Sequence, residues 1–153
     1  KPFYVSTMVE GVTPFRFVCF WAMTPKDVRQ EYTEQATVMI DALPEDGLPT
    51  VIAGDFNASQ GAAHMANIAR LGNVGLTSAY HRLNGADSET VARDLGTYSP
   101  TSFHLWQKDK PFHMDFVFVP AAWTVAAVDV GSFDDYVAGG LSDHVPVVAT
   151  VTP

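Results

Sequence analysis

The sequence predicts a mixed α/β domain whose polar residues gather at strand ends. Three observations carry this expectation. Short apolar runs bounded by turn formers read as strands, and they are interleaved with stretches of helical periodicity. The apolar runs also adjoin compact polar groups, at Gly54-Asp55-Phe56-Asn57, Met114-Asp115 and Ser142-Asp143-His144.

Val5 to Val9 and Phe15 to Met23 read as two strands joined by a turn through Gly11-Val12-Thr13-Pro14. Thr24-Pro25 supplies an N-cap and a proline at the first helical position, with Asp27 in the first turn. Val28, Tyr32, Ala36, Met39 or Ile40, and Leu43 follow at helical spacing, so one face packs on a sheet until Pro44 stops the helix. Thr50-Val51-Ile52-Ala53 is a short strand with both faces buried, and it delivers Asp55 and Asn57 at its carboxyl end. Two residues apart, these side chains can share a face while Phe56 points inward. A helix from Ala62 to Leu71 is ended by Gly72, and Val74 to His81 reads as extended. The stretch from Arg82 to Lys110 is rich in turn formers and lacks periodicity; a loop of that length in a compact domain is usually functional or mobile. Phe112 to Val119, Thr124 to Val130 and Val145 to Val151 complete the strands.

Composition bounds the class. The 153 residues are expected to form one domain, 1–153, with 47% hydrophobic, 12% aromatic and 17% charged residues, the profile of a folded globular chain. No apolar run is long enough to cross a bilayer as a helix, so no membrane partner is expected. The lone Cys19 has no internal disulfide partner and is expected as a small core residue, which makes a reducing, cytoplasmic setting the default. A net charge of −8 argues against a generic nucleic-acid binder, which presents clustered Lys and Arg. Here Lys108-Asp109-Lys110 is the only local basic cluster.

Each polar group admits a plain and a chemical reading. Asp55 can ligate Mg²⁺ or polarise a water and Asn57 can donate to a phosphoryl oxygen, or the pair simply caps the next segment. Ser142-Asp143-His144 is not a hydrolase triad, since a triad is assembled in space around an exposed nucleophile and no Gly-x-Ser-x-Gly turn is present. It can cap a turn or present a metal ligand beside an imidazole. Asp115 can satisfy backbone donors at a strand start. Together, three such motifs at strand ends supply complementary roles for phosphoryl transfer.

In this order and spacing the three motifs, with Asp115-Phe116-Val117-Phe118 and Asp143-His144-Val145-Pro146, resemble the endonuclease/exonuclease/phosphatase superfamily. Ser78-Ala79-Tyr80-His81, Glu89 and Phe112-His113-Met114-Asp115 are similar to an exonuclease III-like bacterial subgroup, so the resemblance covers nearly the whole chain. It implies a two-layer β-sandwich of mixed sheets flanked by helices, and hydrolysis of a phosphodiester, with nucleic acid among the candidate substrates, using Mg²⁺ or Mn²⁺. It further implies that Asp55 positions or deprotonates water, Asn57 binds a phosphoryl oxygen, and Asp143 with Asp55 meets the metal. His144 would contact the scissile phosphate and Asp115 would favour its protonated form. Trp21 stands where many members place a histidine or tyrosine near the phosphate, and His113 is a candidate for lining the substrate cleft, with packing its plain alternative.

The resemblance also carries mismatches. Family domains begin with strands absent here, which bring an asparagine and a metal-binding glutamate; Glu31 lies on the amphipathic helix and does not inherit that role. The chain therefore reads as the C-terminal portion of such a domain. A half-sandwich exposes an apolar sheet face, so self-association or pairing with the missing N-terminal half is expected. The competing expectation is a catalytically silent half-domain that acts through protein–protein association.

Overall fold

The structure is a computed structural model, and it describes residues 3–23, 31–58, 61–84 and 99–153. The elements are β1 (Tyr4–Val9), β2 (Phe15–Trp21), α1 (Tyr32–Asp41), β3 (Thr50–Asp55), α2 (Ala62–Asn73), β4 (Leu76–Ser78), α3 (Ala79–Asn84), β5 (Ser102–Phe103), a 3₁₀ turn (His104–Trp106), β6 (Pro111–Phe112), β7 (Asp115–Pro120), β8 (Thr124–Val130), α4 (Phe133–Tyr136) and β9 (Val147–Thr152).

Five strands form a mixed sheet in the order β1-β2-β3-β7-β4. β2 and β3 run parallel, as a strand–helix–strand crossover requires, and the other pairs are antiparallel. Strand β3 is apolar on both sides because it lies between two layers. Ile52 faces the core shared with Val18, Phe20, Phe56 and the helical residues Ala36, Met39 and Leu71. Val51 faces the opposite core, where Val119, Trp123 and Val125 pack with Phe15 and Phe17. That second core lies under the two-stranded β8–β9 sheet, so the architecture is a mixed sheet with helices on one face and a second sheet on the other.

Polar side chains tie the helix layer down. The fully buried Gln35 pairs with the backbone of Met23, donating to its carbonyl at 2.8 Å and accepting from its N–H at 3.0 Å. Asn67 donates to Thr33 O at 2.7 Å and accepts from the Thr37 hydroxyl at 2.8 Å, locking α2 to α1. At the other end of the sheet Arg16, nearly buried, grips Asp46 and holds its carboxyl below the usual range.

Several expectations need adjusting. The extended segment expected from Val74 to His81 is a three-residue strand followed by α3, because the Ser78 hydroxyl accepts the His81 N–H and starts a helix. Helix α2 runs through Gly72 to Asn73, and the turn falls on Gly75, whose φ of 79° suits glycine. The strand expected over Phe112 to Val119 is two strands in different sheets, β6 and β7. Cys19 is exposed rather than in the core, because the β8–β9 sheet covers Phe15 and Phe17 on its side of β2 and leaves Cys19 uncovered. The helix start expected at Thr24-Pro25, with Val28, and the residue Glu89 lie outside the described residues. Among the described residues no helix is long and apolar enough to cross a membrane.

Gly54 is the tightest point of the sheet. It pairs with Phe20 across β2–β3, its φ is 150°, and a Cβ there would overlap the Phe20 carbonyl. A Gly54→Ala chain is expected to lose about 2–4 kcal/mol, since both partners are backbone and neither can yield alone. Urea unfolding measures this, and a midpoint equal to wild type would refute it.

Candidate active site

The site forms where β3 ends and β7 begins. Antiparallel register places Asp55 directly opposite Asp115, and parallel register places Trp21 beside Asp55 on the other flank. The chain continues beyond β3 because Phe56 drops into the core against Phe20, Phe116 and Phe118, with its N–H donating to Met114 O at 2.9 Å. Asn57 then turns back with a φ of 47°, in the left-handed region that Asn tolerates better than most residues.

Two carboxylates in register create an electrostatic problem. Burial, and then the neighbouring charge of Asp115, push the Asp55 carboxyl up to about 6. The opposing contributions come from the Asn57 N–H at 2.7 Å, the nearby His144 and a hydrogen bond from the Trp21 side chain. The Asn57 amide adds a bond to the second Asp55 oxygen at 2.8 Å and another to Ala22 O at 2.7 Å. Both amide hydrogens of Asn57 are thereby engaged, so in this arrangement it orients Asp55 rather than offering a free donor.

Asp115 is paired on its other side. Its Oδ2 accepts from His144 Nδ1 at 2.9 Å, and this contact is the main reason the His144 imidazole is raised above its ordinary range. The other ring nitrogen, Nε2, lies 3.2 Å from the Ser102 hydroxyl, within hydrogen-bonding distance. The backbone at His144 is held by its N–H donating to Ser142 Oγ at 3.0 Å. Asp143 lies next to the ring, adds to its raised affinity for a proton, and takes the Phe103 N–H on its carbonyl at 2.8 Å.

The structure thus brings Asp55, Asn57, Asp115, Asp143, His144 and Trp21 to one end of the sheet. His113 is a correction. It is fully buried, donates from Nδ1 to Ser99 O at 2.7 Å, and packs on Tyr80 and Phe116, so it presents no surface to a substrate. Burial lowers its affinity for a proton.

Two residues escaped the sequence reading. Thr101 is fully buried; its hydroxyl oxygen accepts the N–H groups of Met114 and Asp115 at 2.9 and 3.0 Å, and its carbonyl accepts the Val145 N–H at 2.8 Å. It therefore fixes the Asp115 strand start and the His144 segment to each other. Ser102 follows it and meets His144. Both lie in the run Ser99-Pro100-Thr101-Ser102, which reads as turn formers, and only tertiary pairing reveals their role. A cavity of about 840 Å³ lies elsewhere, near the opposite end of β3, lined by Leu43, Leu48, Thr50, Arg70 and Leu76, and contains none of the site residues.

The donor set suits a hard cation in kind, since Asp55 and Asp143 offer carboxylate oxygens. Among the described residues there is no group of three metal-ligating side chains. Mg²⁺ commonly binds through one or two carboxylates plus waters and substrate phosphate, so a sparse set is compatible with it.

A family model described as the endonuclease/exonuclease/phosphatase family matches residues 6–144. The chain belongs to that family. No curated protein matches it. Among solved structures it is similar to D. rerio TDP2 complexed with single-strand DNA product, at TM-score 0.65 and 18% identity over 98% of this chain and 61% of that one. It is similar to the human Nocturnin catalytic domain with bound sulfate, at 0.68 and 18% over 97% and 52%. It is also similar to the 3′ phosphatase NExo from Neisseria bound to product DNA hairpin, at 0.66 and 16% over 97% and 64%. The chain spans between 52% and 64% of the length of these structures, and at such identities the likeness speaks for the fold.

Beneath the site, His64, His81 and His113 surround Phe116 with ring centroids 5.5, 5.9 and 5.0 Å from its own. Burial lowers His64 and His81 from 6.5 to about 4. The unfolded chain takes up protons near 6.5 that the folded chain refuses until about 4, so their contribution is present above 6.5 and lost as pH falls toward 4. Asp55 and His144, raised in the folded chain, pull the other way on acidification, so the two histidines' share is read from the variant. His64→Gln is expected to lose less melting temperature than wild type between pH 7 and pH 4.5. An unchanged slope in that variant would count against the assignment.

Proposed function

We propose that the chain carries the catalytic groups of a metal-dependent phosphodiester hydrolase of nuclease-like type. The observation that carries this reading is the Asp55–Asp115–His144 arrangement across adjoining strand ends. Asp55, raised to about 6, is mostly ionised at neutral pH yet basic enough to accept a proton from water, which suits a general base. Asn57 and Trp21 hold that carboxylate in place. His144, whose affinity for a proton Asp115 raises, places Nε2 beside Ser102 and in its protonated form can exchange that partner for a phosphoryl oxygen that gains charge during attack. Asp55 and Asp143 would hold Mg²⁺ or Mn²⁺, which when bound supplies positive charge at the phosphate. Structures with DNA products among the fold's relatives, TDP2 and NExo, support nucleic acid as the substrate class.

Hydrolysis of bis-p-nitrophenyl phosphate with Mg²⁺ or Mn²⁺ tests the reading. Turnover is expected to fall about a hundredfold or more in His144→Ala and to vanish with chelator. Equal rates in wild type and variant would instead favour the silent half-domain.

The open face of the main sheet bears on activity. Val5 is 71% exposed and pairs with exposed Cys19, while Trp21 farther along β2 is 56% exposed. This surface would be covered by a second copy or by pairing with further strands. Light scattering at working concentration is expected to show association of the chain alone. A monodisperse monomer would leave only the pairing with further strands.

A further inference from the structure

We infer that the tip of the β5–β6 hairpin, residues 104–110, is a nucleotide-reading finger that stacks an unpaired base of a single-stranded nucleic acid on Trp106. The inference rests on the phosphodiesterase reading and deepens it by naming the strand the site would hold. Its starting point is the backbone. Leu105 and Trp106 are consecutive bulky residues with φ of 54° and 61°, a conformation that costs either residue more than it would Gly or Asn. The strain gains nothing in the core, since Leu105 is 61% and Trp106 46% exposed. The chain holds two large apolar side chains in solvent against both sterics and hydration.

The hairpin is stiff enough to do so. His104 N–H donates to Lys110 O at 3.0 Å, Lys110 N–H to Gln107 O at 3.0 Å, and Gln107 N–H to His104 O at 3.2 Å. Lys108 anchors the tip to α4, 2.9 Å from Asp134 and over the Phe133 ring at 5.2 Å, and Phe103 packs on the same ring at 4.9 Å. The base of the hairpin is part of the site: Phe103 N–H donates to Asp143 O at 2.8 Å and Ser102 meets His144. An aromatic plane is thus carried rigidly from the catalytic imidazole. The tip also holds Lys108 and Lys110, the one local basic cluster of a chain with net charge −8. Lys108 is paired with Asp134 and Asp109 lies between the two lysines, so Lys110 is the tip's cation toward a backbone phosphate. One exposed aromatic with one such cation, on a hairpin rooted in the site, fits the pairing of base stacking with backbone attraction that single-strand binders use.

The test is fluorescence anisotropy of a labelled single-stranded oligodeoxynucleotide in chelator, so that nothing is cleaved, with wild type, Trp106→Ala, Trp106→Phe and Lys110→Ala. Trp106→Ala is expected to weaken binding about 5- to 150-fold. Trp106→Phe should retain most of the affinity, and Lys110→Ala should reduce the salt dependence. An abasic strand of equal length should bind wild type as weakly as the normal strand binds Trp106→Ala. Equal affinity of wild type and Trp106→Ala, or of normal and abasic strands, overturns the finger. So does Trp106-dependent binding to phosphatidylserine vesicles without binding to the oligonucleotide. Trp106-dependent binding without ester hydrolysis would uphold the finger and fail the catalytic reading. Hydrolysis with indifferent Trp106 would do the reverse.

Discussion

Placing Asp55 opposite Asp115 at the mouth of two antiparallel strands sets the terms for everything around it. Two adjacent carboxylates, partly withdrawn from water, repel each other and resist ionising together. The surrounding residues answer on both flanks. Asn57 and Trp21 direct N–H groups at Asp55, and His144, its affinity for a proton raised, hydrogen-bonds Asp115. The compensation is incomplete, since Asp55 still sits near 6. That residue of unfavourable energy is what a hydrolytic site can use, because a carboxylate strained toward protonation is a better base than a relaxed one.

The same constraint explains why so much of the fold serves one end of the sheet. Gly54 lets β3 approach Phe20 closely, Phe56 anchors the chain in the core, and the left-handed turn at Asn57 returns the amide to Asp55. Thr101 joins the two segments that carry Asp115 and His144 through three backbone hydrogen bonds. Each is a short connection between rigid elements, so the geometry of the carboxylate pair is inherited from sheet register rather than from side-chain packing alone.

How much of this was legible follows from the range of each interaction. Asp55 and Asn57 lie two residues apart on a strand end, so their proximity is written locally, and apolar runs announced β2, β3, β7 and β8. The family resemblance supplied what spacing could not, that the segments of Asp115 and His144 converge. Thr101 and Ser102 were invisible because their partners are 14 and 42 residues away and their own run of small hydroxyl residues reads locally as a turn. Cys19 was misread because an apolar strand residue is buried only where a second layer covers it, and the β8–β9 layer stops short. His113 was a cleft candidate through the family resemblance, with packing as its alternative, and its ring is fully buried against Tyr80.

Charge remains the unresolved balance of the site and points outward from it. Three carboxylates, Asp55, Asp115 and Asp143, converge around one imidazole in a chain that is already acidic overall. The proposed phosphodiester substrate would bring another negative charge to that place, more than one histidine can offset. Additional positive charge must therefore arrive with the substrate or from the rim of the site. In the proposed reading a divalent ion held by Asp143 and Asp55 would answer at the centre. The lysines of the β5–β6 tip answer at the rim, where Lys108 is already committed to Asp134 and Lys110 stands at the exposed edge. In the proposed reading the two answers would act at different distances from the phosphate: the central one would bear on the chemistry, and the peripheral one on which polymer is held there.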